Sequence, residues 1–384
     1  MSRAFKPWSG AFVTAAIAVS LAATSIPSSA APTPASHKKR TGVASTPVVL
    51  ATGLHSPRDV TVSHDGSVLV AESGTGSGKA CPGKPNMPVR CFGLTASIYK
   101  VKGKKKGRVV TGLPSQELVP PGGTSGSMYG PNQVEALRNG SYRAVYGLIG
   151  LPSTRPELGA GSEPLATLSI VNGKVLGDLA AHEAAHDPDA PLGNTQPDAS
   201  NPQRYVRDGK DFLVTDAAGN TVIRVHPDGT TETELVIPNN VLPAAPGSDT
   251  KATEVEGVPT GIVRGRDGAF YISDLSGARN DLGRVWRYVP GEKPTVFAKG
   301  LSNAIDLAVA PNGDLITLSY ATGAPGVPSG ALTRIDRRTG ALTPIKSDTP
   351  LNMPTGLAVS PKGDIYVTNN TLTNNGELLK FSAR

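Results

Sequence analysis

The sequence has little of several residue types that specify other kinds of protein. Among 384 residues there are only two cysteines, Cys81 and Cys91, and aromatic residues make up 5 %. Neither cysteine has further Cys or His neighbours at ligand spacing, so a structural metal site at that point is not predicted. Basic residues are not interleaved with aromatic ones, so we expect no nucleic-acid partner.

Long apolar runs are also missing, apart from one near the N-terminus. Residues 1–30 combine Arg3 and Lys6 with the apolar run Ala11–Ala23 and small residues up to Ala30. This pattern predicts a secretory signal peptide cleaved near Ala30, and an uncleaved anchor is the alternative. The run is short for a membrane span, and no cysteine follows it directly to receive a lipid. We therefore expect a secreted protein that is not embedded in a membrane.

The positive charge is concentrated in few places. Residues 31–45 contain "APTPASHKKRTG", which predicts a disordered linker. Ten basic residues lie in the signal peptide, in this linker and in "VKGKKKGRV", and they exceed the net charge of +7: Arg3, Lys6, Lys38, Lys39, Arg40, Lys102, Lys104, Lys105, Lys106 and Arg108. The lysine-rich run lies between two valine-rich segments, so we expect a solvated hairpin turn. Contact with an acidic polymer or phosphate is the alternative.

The two cysteines lie ten residues apart in the glycine- and proline-rich segment "GSGKACPGKPNMPVRCFG". In an exported protein a local, even pair of cysteines predicts a disulfide, here between Cys81 and Cys91. We expect this bond to restrain a loop.

Glycine and proline, in contrast, are abundant, and they mark an internal repeat. Two short apolar strands joined mostly by an Asp-Gly or Asn-Gly turn recur six times, followed by a third strand and usually a fourth. The six units begin at Ser56, Gly130, Asn201, Val258, Asn303 and Met353. Four antiparallel strands repeated six times predict an all-β fold, a six-bladed β-propeller over residues 46–384.

The last unit ends after its third strand, whereas a spare strand precedes the first unit. That segment, Thr46 to Leu54 ("TPVVLATGL"), resembles the fourth strands "GRVVTGL" and "PTVFAKGL". We therefore predict that the N-terminal strand completes the last blade and closes the ring, which removes exposed sheet edges.

Several blade phrases carry a resemblance to a known family. "LATGLHSPRDV", "VTDAAGNTVIRVHPDGT", "GVPTGIVRGRDGAFYISDLSG" and "MPTGLAVSPKGDIYVTNN" occur in order, with the insertion "GLIGLPS" in the second unit. From about residue 46 to the C-terminus the chain resembles the ScyD/ScyE family of exported propeller proteins. The resemblance implies a propeller fold of the NHL/TolB-like kind and export.

The segment "DLAAHEAAHDPDA" contains a literal H-E-x-x-H, with His182 and His186 four residues apart. On a helix this spacing is the core of a zinc metalloprotease site. Here Asp187-Pro188 follows at once, and proline disfavours helix at the preceding residue. The resembling family has Tyr and Asn where this chain has the two histidines. We expect a short surface helix without a metal; adventitious metal binding and a zinc protease are the alternatives.

The first strand of each blade lines the axis of a propeller, and ligands often bind at the channel mouth. Aligning the six units places polar residues at equivalent positions near the starts of these strands. The candidate ligand-binding residues are Arg58, Asp59, Asn132, Gln133, Arg204 and Asp306. The alternative is that these groups pair with one another or bridge ordered water.

We expect a monomeric binding or accessory protein whose channel mouth and long loops recognise a small molecule or an extracellular partner. No cofactor is expected. The alternative is a calcium-dependent, lactonase-like hydrolase that uses Asp306, Asn132 and Asn201 as oxygen ligands. No glutamate accompanies them, and the loop "GGTSG" at 122–126 is not a nucleophile elbow, because it lacks the strand-to-helix context.

Overall fold

A computed structural model of the protein describes residues 46–193, 199–242, 253–323 and 329–383. They belong to one compact unit, Val43–Arg384. The predicted signal peptide and linker lie outside the described residues. The described chain forms six antiparallel sheets arranged as the blades of a β-propeller, which confirms the predicted fold.

Blade 1 is the most extended of the six. The closing strand of the ring is β1 (Val48–Leu54). Blade 1 then contains β2 (Pro57–Val62), β3 (Val68–Glu72), β4 (Val89–Lys102), β5 (Lys105–Val119) and β6 (Ser127–Tyr129). The lysine-rich run is the predicted hairpin turn, because Lys102 pairs with Lys105 across it. The sequence pattern anticipated only the outer half of β4 and β5, which continue far beyond the repeat.

Blades 2 and 3 are joined by a helical segment. Blade 2 contains β7 (Pro131–Ala136), β8 (Tyr142–Tyr146), the short helix α1 (Thr154–Leu158), β9 (Thr167–Ile170) and β10 (Val175–Asp178). Helix α2 (Leu179–His186) and a 3-10 turn (Ala190–Leu192) follow. Blade 3 contains β11 (Pro202–Asp208), β12 (Asp211–Asp216), β13 (Thr221–Val225) and β14 (Thr231–Val236).

The remaining blades have the regular four strands. A small hairpin, β15 (Asn240–Leu242) and β16 (Thr253–Val255), precedes blade 4. Blade 4 contains β17 (Pro259–Arg264), β18 (Phe270–Asp274), β19 (Gly283–Tyr288) and β20 (Thr295–Leu301). Blade 5 contains β21 (Ala304–Val309), β22 (Leu315–Ser319), β23 (Ala331–Ile335) and β24 (Leu342–Ile345). Blade 6 contains β25 (Gly356–Val359), β26 (Ile365–Asn369) and β27 (Gly376–Phe381).

The ring closes as predicted, since β1 is the fourth strand of blade 6. It pairs antiparallel with β27, from Val48 opposite Lys380 to Leu54 opposite Gly376. The described chain thus joins its first and last strands in one sheet. Within the described ranges no helix has the length and apolar character needed to cross a membrane.

Apolar side chains pack between neighbouring blades. One cluster joins blades 1 and 2 through residues such as Leu69, Ile98 and Tyr146, and another joins blades 5 and 6 through Leu318 and Val367. Each blade therefore buries its faces against two neighbours, which gives the ring a continuous core.

In four blades the second strand ends in a buried acidic or amide residue. Its side chain accepts a hydrogen bond from a backbone N–H in the segment that leads into the first strand of the same blade. The four acceptors are Glu72, Asp216, Asp274 and Asn369, and their donors are the N–H groups of His55, Asn201, Val258 and Asn352 at 2.7 to 2.9 Å. This bond satisfies a backbone donor that no strand partner reaches.

Strand direction places every long connection at one end of the propeller. The first strand of each blade runs away from that end, and the second strand returns to it. The connection from the second to the third strand therefore lies at that end, and so does the connection from the fourth strand to the next blade. These connections include the Cys81 loop, α1, α2 and the β15–β16 hairpin. We call this end the upper end. The upper end therefore carries the elaborations, and the tight turns lie below.

We predict that Asp274→Ala destabilises the protein by about 3–5 kcal/mol. Asp274 is fully buried and accepts hydrogen bonds from Val258 N, Arg284 Nε and Trp286 Nε1 at 2.9 to 3.0 Å, so its loss leaves a buried guanidinium without its carboxylate. Urea unfolding measures the effect. Glu292→Ala, at the exposed β19–β20 turn of the same blade, is the matched control and should change little; equal losses in both variants would contradict this role for Asp274.

Candidate functional site

A single arginine side chain occupies the axis of the propeller. Arg204 on β11 is 6 % exposed. Its guanidinium donates to backbone carbonyl oxygens at 2.8 to 3.1 Å on Arg58, Asn132, Gln203 and Thr355. Nε and Nη2 also donate to Asp306 Oδ2, each at 3.3 Å. One side chain thus binds blades 1, 2, 3, 5 and 6.

Two buried carboxyl groups lie next to this guanidinium. Asp59 Oδ1 lies 3.5 Å from Arg204 Nε, and Asp306 Oδ2 accepts from the same nitrogen at 3.3 Å. Burial raises the pKa of Asp59 to about 8, although Arg204 opposes the shift, and the nearby Asp306 adds to it. Burial also raises the pKa of Asp306. Two carboxyl groups this close share a proton, so the set of three side chains is close to electrically neutral.

Glycines make room for this arrangement. The positions equivalent to Asp59 in blades 4 and 6 are Gly261 and Gly356. A Cβ at Gly261 would lie 2.7 Å from Asp306 Oδ1, and one at Gly356 would press on the backbone of Asp59. Side chains at these two positions would displace the carboxyl groups that hold Arg204.

The other two predicted residues bridge blades 2 and 3. Asn132 Nδ2 donates to Pro202 O at 2.7 Å, and Gln133 Oε1 accepts from Tyr205 N at 2.7 Å. The structure thus brings three of the six predicted residues together by their side chains at the axis, Asp59, Arg204 and Asp306. Arg58 and Asn132 reach Arg204 through their carbonyl oxygens, and Gln133 bonds to the backbone of blade 3. Because the Arg204 guanidinium already lies beside both Asp59 and Asp306, the axis does not favour calcium.

The Arg58 side chain points instead to the upper end, toward residues that the repeat pattern did not identify. Its Nη2 donates to the carbonyl oxygen of Met128, next to β6 residue Tyr129. Arg58 contributes to the pKa of both Tyr129 and Tyr320. The inward extension of blade 1 therefore lies over the channel mouth.

Strand register adds two more residues to this group. Phe92 pairs with Gln116, and Gln116 pairs with Tyr129, so the three share one face of the extended sheet. Arg90 lies two residues from Phe92 on the same face. We call Arg58, Arg90, Gln116, Tyr129 and Tyr320 the mouth cluster.

The mouth cluster contains buried polar atoms without hydrogen-bond partners among the described residues. These atoms are Nε of Arg58, Nη1 of Arg90 and both amide atoms of the fully buried Gln116. Buried donors of this kind are rare unless a ligand or water completes them. Arg58, Arg90 and Tyr320 are each partly exposed, so a ligand can reach the cluster.

Both tyrosines of the mouth cluster stay neutral at physiological pH. Burial raises the pKa of Tyr129, and Arg58 opposes that shift. Burial likewise raises the pKa of Tyr320, again against Arg58. The cluster therefore offers two guanidinium groups, two neutral hydroxyls and one amide, and its charge is positive.

The disulfide predicted from the sequence is present, and it supports the mouth cluster. Cys81 in the upper loop bonds to Cys91, which lies within β4 beside Arg90. The bond therefore fastens the loop to the strand that carries Arg90, rather than closing a loop on itself.

The histidines of the H-E-x-x-H sequence bond to neighbouring groups of the protein. They lie on α2, where Nδ1 and Nε2 of His182 pair with the hydroxyls of Thr231 and Thr233 at 3.0 and 2.8 Å. His186 Nδ1 pairs with His182 O, and the two rings stack. Burial lowers the pKa of His182 to about 4, and His186 adds to the shift. The predicted short helix is confirmed, but His182 is buried rather than on the surface.

A concavity with a volume of about 450 Å³ lies at the lower end. Arg138, Arg143 and Arg207 are among its lining residues. Arg143 is already paired with Glu135 at 2.5 Å and stacks on Phe212. This cleft is therefore less suited than the mouth cluster to binding an anion.

Comparison with known families agrees with the repeat. The model of the NHL repeat matches residues 351–381. Blade 6 contains an NHL repeat. The match covers the end of the chain only. No curated protein matches the sequence.

Solved structures with a similar course of the chain include several enzymes. They include an inactive variant of virginiamycin B lyase from Staphylococcus aureus with quinupristin, at 13 % identity over 88 % of this chain and 99 % of that chain, TM-score 0.48. A putative gluconolactonase has 12 % identity over 88 % and 93 %, TM-score 0.46. A luciferin-regenerating enzyme has 10 % identity over 88 % and 95 %, TM-score 0.45. No conclusion about ligand or reaction follows from similarity at this level.

The pKa of Asp59 yields a prediction for Asp59→Asn. Above the ordinary pKa of 3.8 the unfolded chain releases this proton, whereas the folded protein keeps it until pH approaches about 8. Asp59 therefore lowers the free energy of unfolding progressively as the pH rises from 3.8 to about 8, by at most about 1.4 kcal/mol per pH unit. The neutral asparagine avoids this cost.

Urea unfolding at pH 5, 6, 7 and 8 provides the measurement. The stability of Asp59→Asn relative to wild type should rise steadily with pH. The exposed Asp348→Asn serves as the matched control and should show a constant difference. A difference for Asp59→Asn that stays flat or falls with pH would rule out a proton held at this site.

Proposed function

We propose that the protein is a binding protein that holds a small organic anion at the channel mouth. The observation that carries this proposal is the pair of buried guanidinium donors, Arg58 Nε and Arg90 Nη1, that find no acceptor among the described residues. An anionic oxygen would accept hydrogen bonds from both donors. Charge-assisted hydrogen bonds from arginine to carboxylate or phosphate are stronger than those between neutral groups.

The rest of the mouth cluster suits an organic anion. Gln116 supplies one amide donor and one amide acceptor, and both are buried and unpartnered among the described residues. Tyr129 and Tyr320 add aromatic faces and neutral hydroxyls, which can contact an apolar body and its polar substituents. Carboxylates and phosphate monoesters share the chemistry that this cluster recognises.

The axial network supports binding rather than metal-assisted hydrolysis. A lactonase-like reaction at Asp306, Asn132 and Asn201 would need a cation close to the Arg204 guanidinium, which lies 3.3 Å from Asp306. Repulsion between the two cations weighs against it. We therefore infer that Arg204 and its carboxyl partners form the rigid floor beneath the ligand.

A panel of anions tests the proposal by thermal melting, followed by calorimetry. The probes are inorganic phosphate, citrate and 4-hydroxybenzoate, with 4-hydroxybenzamide as the neutral match for the last. We expect at least one anion to raise the melting temperature while the amide does not. For that anion, Arg58→Gln and Arg90→Gln should each weaken binding by about 10- to 100-fold.

Arg338→Gln, at a solvent-exposed turn of the lower end, is the matched control and should bind like wild type. Two results would overturn the proposal. One is that none of the three anions binds better than the neutral amide. The other is that anion binding is unchanged in both Arg58→Gln and Arg90→Gln.

We also propose that the protein is an exported member of the ScyD/ScyE family that acts outside the cytoplasm as a monomer. The Cys81–Cys91 disulfide is compatible with an oxidising compartment. N-terminal sequencing of protein recovered from the culture medium should find a new terminus near residue 31. Protein that stays with the cells and begins at residue 1 would contradict export with cleavage.

A further inference from the structure

Three carboxylates converge at the upper end, where the chain leaves blade 2. They belong to Glu183 of α2, to Asp187 at its C-terminal cap and to Asp189. One oxygen of each lies within 4.8 Å of the others. Glu183 and Asp189 are fully buried. This group, which we call the acidic cluster, plays no part in the mouth cluster.

Local backbone geometry produces the convergence. Glu183 and Asp187 are four residues apart, which places them on one side of the helix. Asp187 adopts a left-handed conformation with φ 39°, and its N–H bonds to Glu183 O at 2.8 Å. The chain then turns again, so that Asp189 comes back toward the end of α2. The negative end of the helix dipole faces the same region.

A residue of blade 3 provides an independent sign of a ligand. Asn220, in the β12–β13 turn, is 97 % buried, and its Nδ2 donates to Asp189 Oδ2 at 2.8 Å. The other atom of the same amide, Oδ1, has no hydrogen-bond partner among the described residues. Amide geometry keeps this oxygen within about 5 Å of Asp189 Oδ2.

The glutamate approaches the same turn. A Cβ on Gly219 would clash with the Glu183 carboxylate, so the two residues are in direct contact. Glu183 and Asp189 therefore both touch the Gly219–Asn220 turn. The unpartnered amide oxygen lies at the edge of the acidic cluster, where an oxygen-binding cation would use it.

The donor set indicates which cation would bind. Carboxylate and amide oxygens are the ligands that calcium prefers, whereas zinc prefers histidine and cysteine. Both ring nitrogens of His182 are engaged with Thr231 and Thr233. His182 is therefore not available as a ligand, whereas the glutamate of the same H-E-x-x-H sequence lies in the acidic cluster.

We propose that Glu183, Asp187, Asp189 and the amide oxygen of Asn220 bind one calcium ion that ties the α2 segment to blade 3. The ion would complete the coordination of the amide oxygen, which has no hydrogen-bond partner among the described residues. It would also hold the connection between two blades at the end of the propeller that carries the mouth cluster. This site is separate from the axis and does not depend on anion binding.

Calorimetric titration of chelator-treated protein with calcium chloride tests the proposal on the intact chain. We expect one ion per chain and a melting temperature about 3–6 °C higher in saturating calcium than in EDTA. Magnesium should bind more weakly, because it requires a smaller and more regular oxygen shell. No saturable calcium binding up to about 1 mM, the weak end of protein calcium sites, would overturn the proposal by itself.

Variants assign the site. Asp187→Asn should weaken calcium binding at least tenfold, whereas Asp336→Asn, at an exposed turn of the lower end, should bind like wild type. Asn220→Gly removes the amide without changing charge and tolerates the φ of 53° at this position, so it should weaken binding several-fold even if the acidic variants fold poorly.

Calcium binding that survives both Asp187→Asn and Asn220→Gly would place the ion elsewhere and overturn the assignment. Zinc binding that is lost in His182→Ala, in a protein that binds no calcium, would also overturn it in favour of the histidines.

Discussion

The burial of one guanidinium on the axis is the constraint on which the rest of the ring depends. Arg204 is buried away from solvent, so its donors must be met by carbonyl oxygens of several blades and by the Asp306 carboxylate. Those carbonyls lie near the starts of innermost strands, and their positions fix how closely the blades approach. Asp59 adds a second carboxyl group, which retains a proton because two buried anions would exceed the single positive charge. The channel floor is therefore a neutral, tightly bonded plug.

Above this plug the chain is free to vary. Every long connection lies at the upper end because strand direction alternates within each blade, and changes there leave the sheets intact. The inward extension of blade 1 and the α2 segment use that freedom in different ways. The extension brings Arg90, Gln116 and Tyr129 to Arg58 and leaves donors unmet. The α2 segment brings carboxylates together instead. Two clusters of opposite charge thus share one end of the molecule, on a fold that by itself specifies no function.

The H-E-x-x-H sequence illustrates how surroundings decide chemistry. In a metalloprotease its histidines bind zinc and its glutamate acts on water. Here threonine hydroxyls from β14 occupy both nitrogens of His182, and burial keeps that ring neutral. The intervening glutamate instead contacts Gly219 in the β12–β13 turn. The motif is therefore present as a spacing on a helix, but the residues packed against it belong to a different structure.

The sequence by itself determined the six blades, the closing strand and the Cys81–Cys91 pair, because these depend on local alternation, on Asp-Gly and Asn-Gly turns and on short spacing along the chain. It also placed Asp59, Arg204 and Asp306 near the axis, since repeats put equivalent residues at equivalent positions. Only the tertiary structure decided that these three neutralise one another. It alone brought Met128 of β6 to Arg58, and Asn220 of blade 3 to Asp189. These hydrogen bonds join residues 70 and 31 positions apart, outside the repeat, where no periodic signal records which loops will meet.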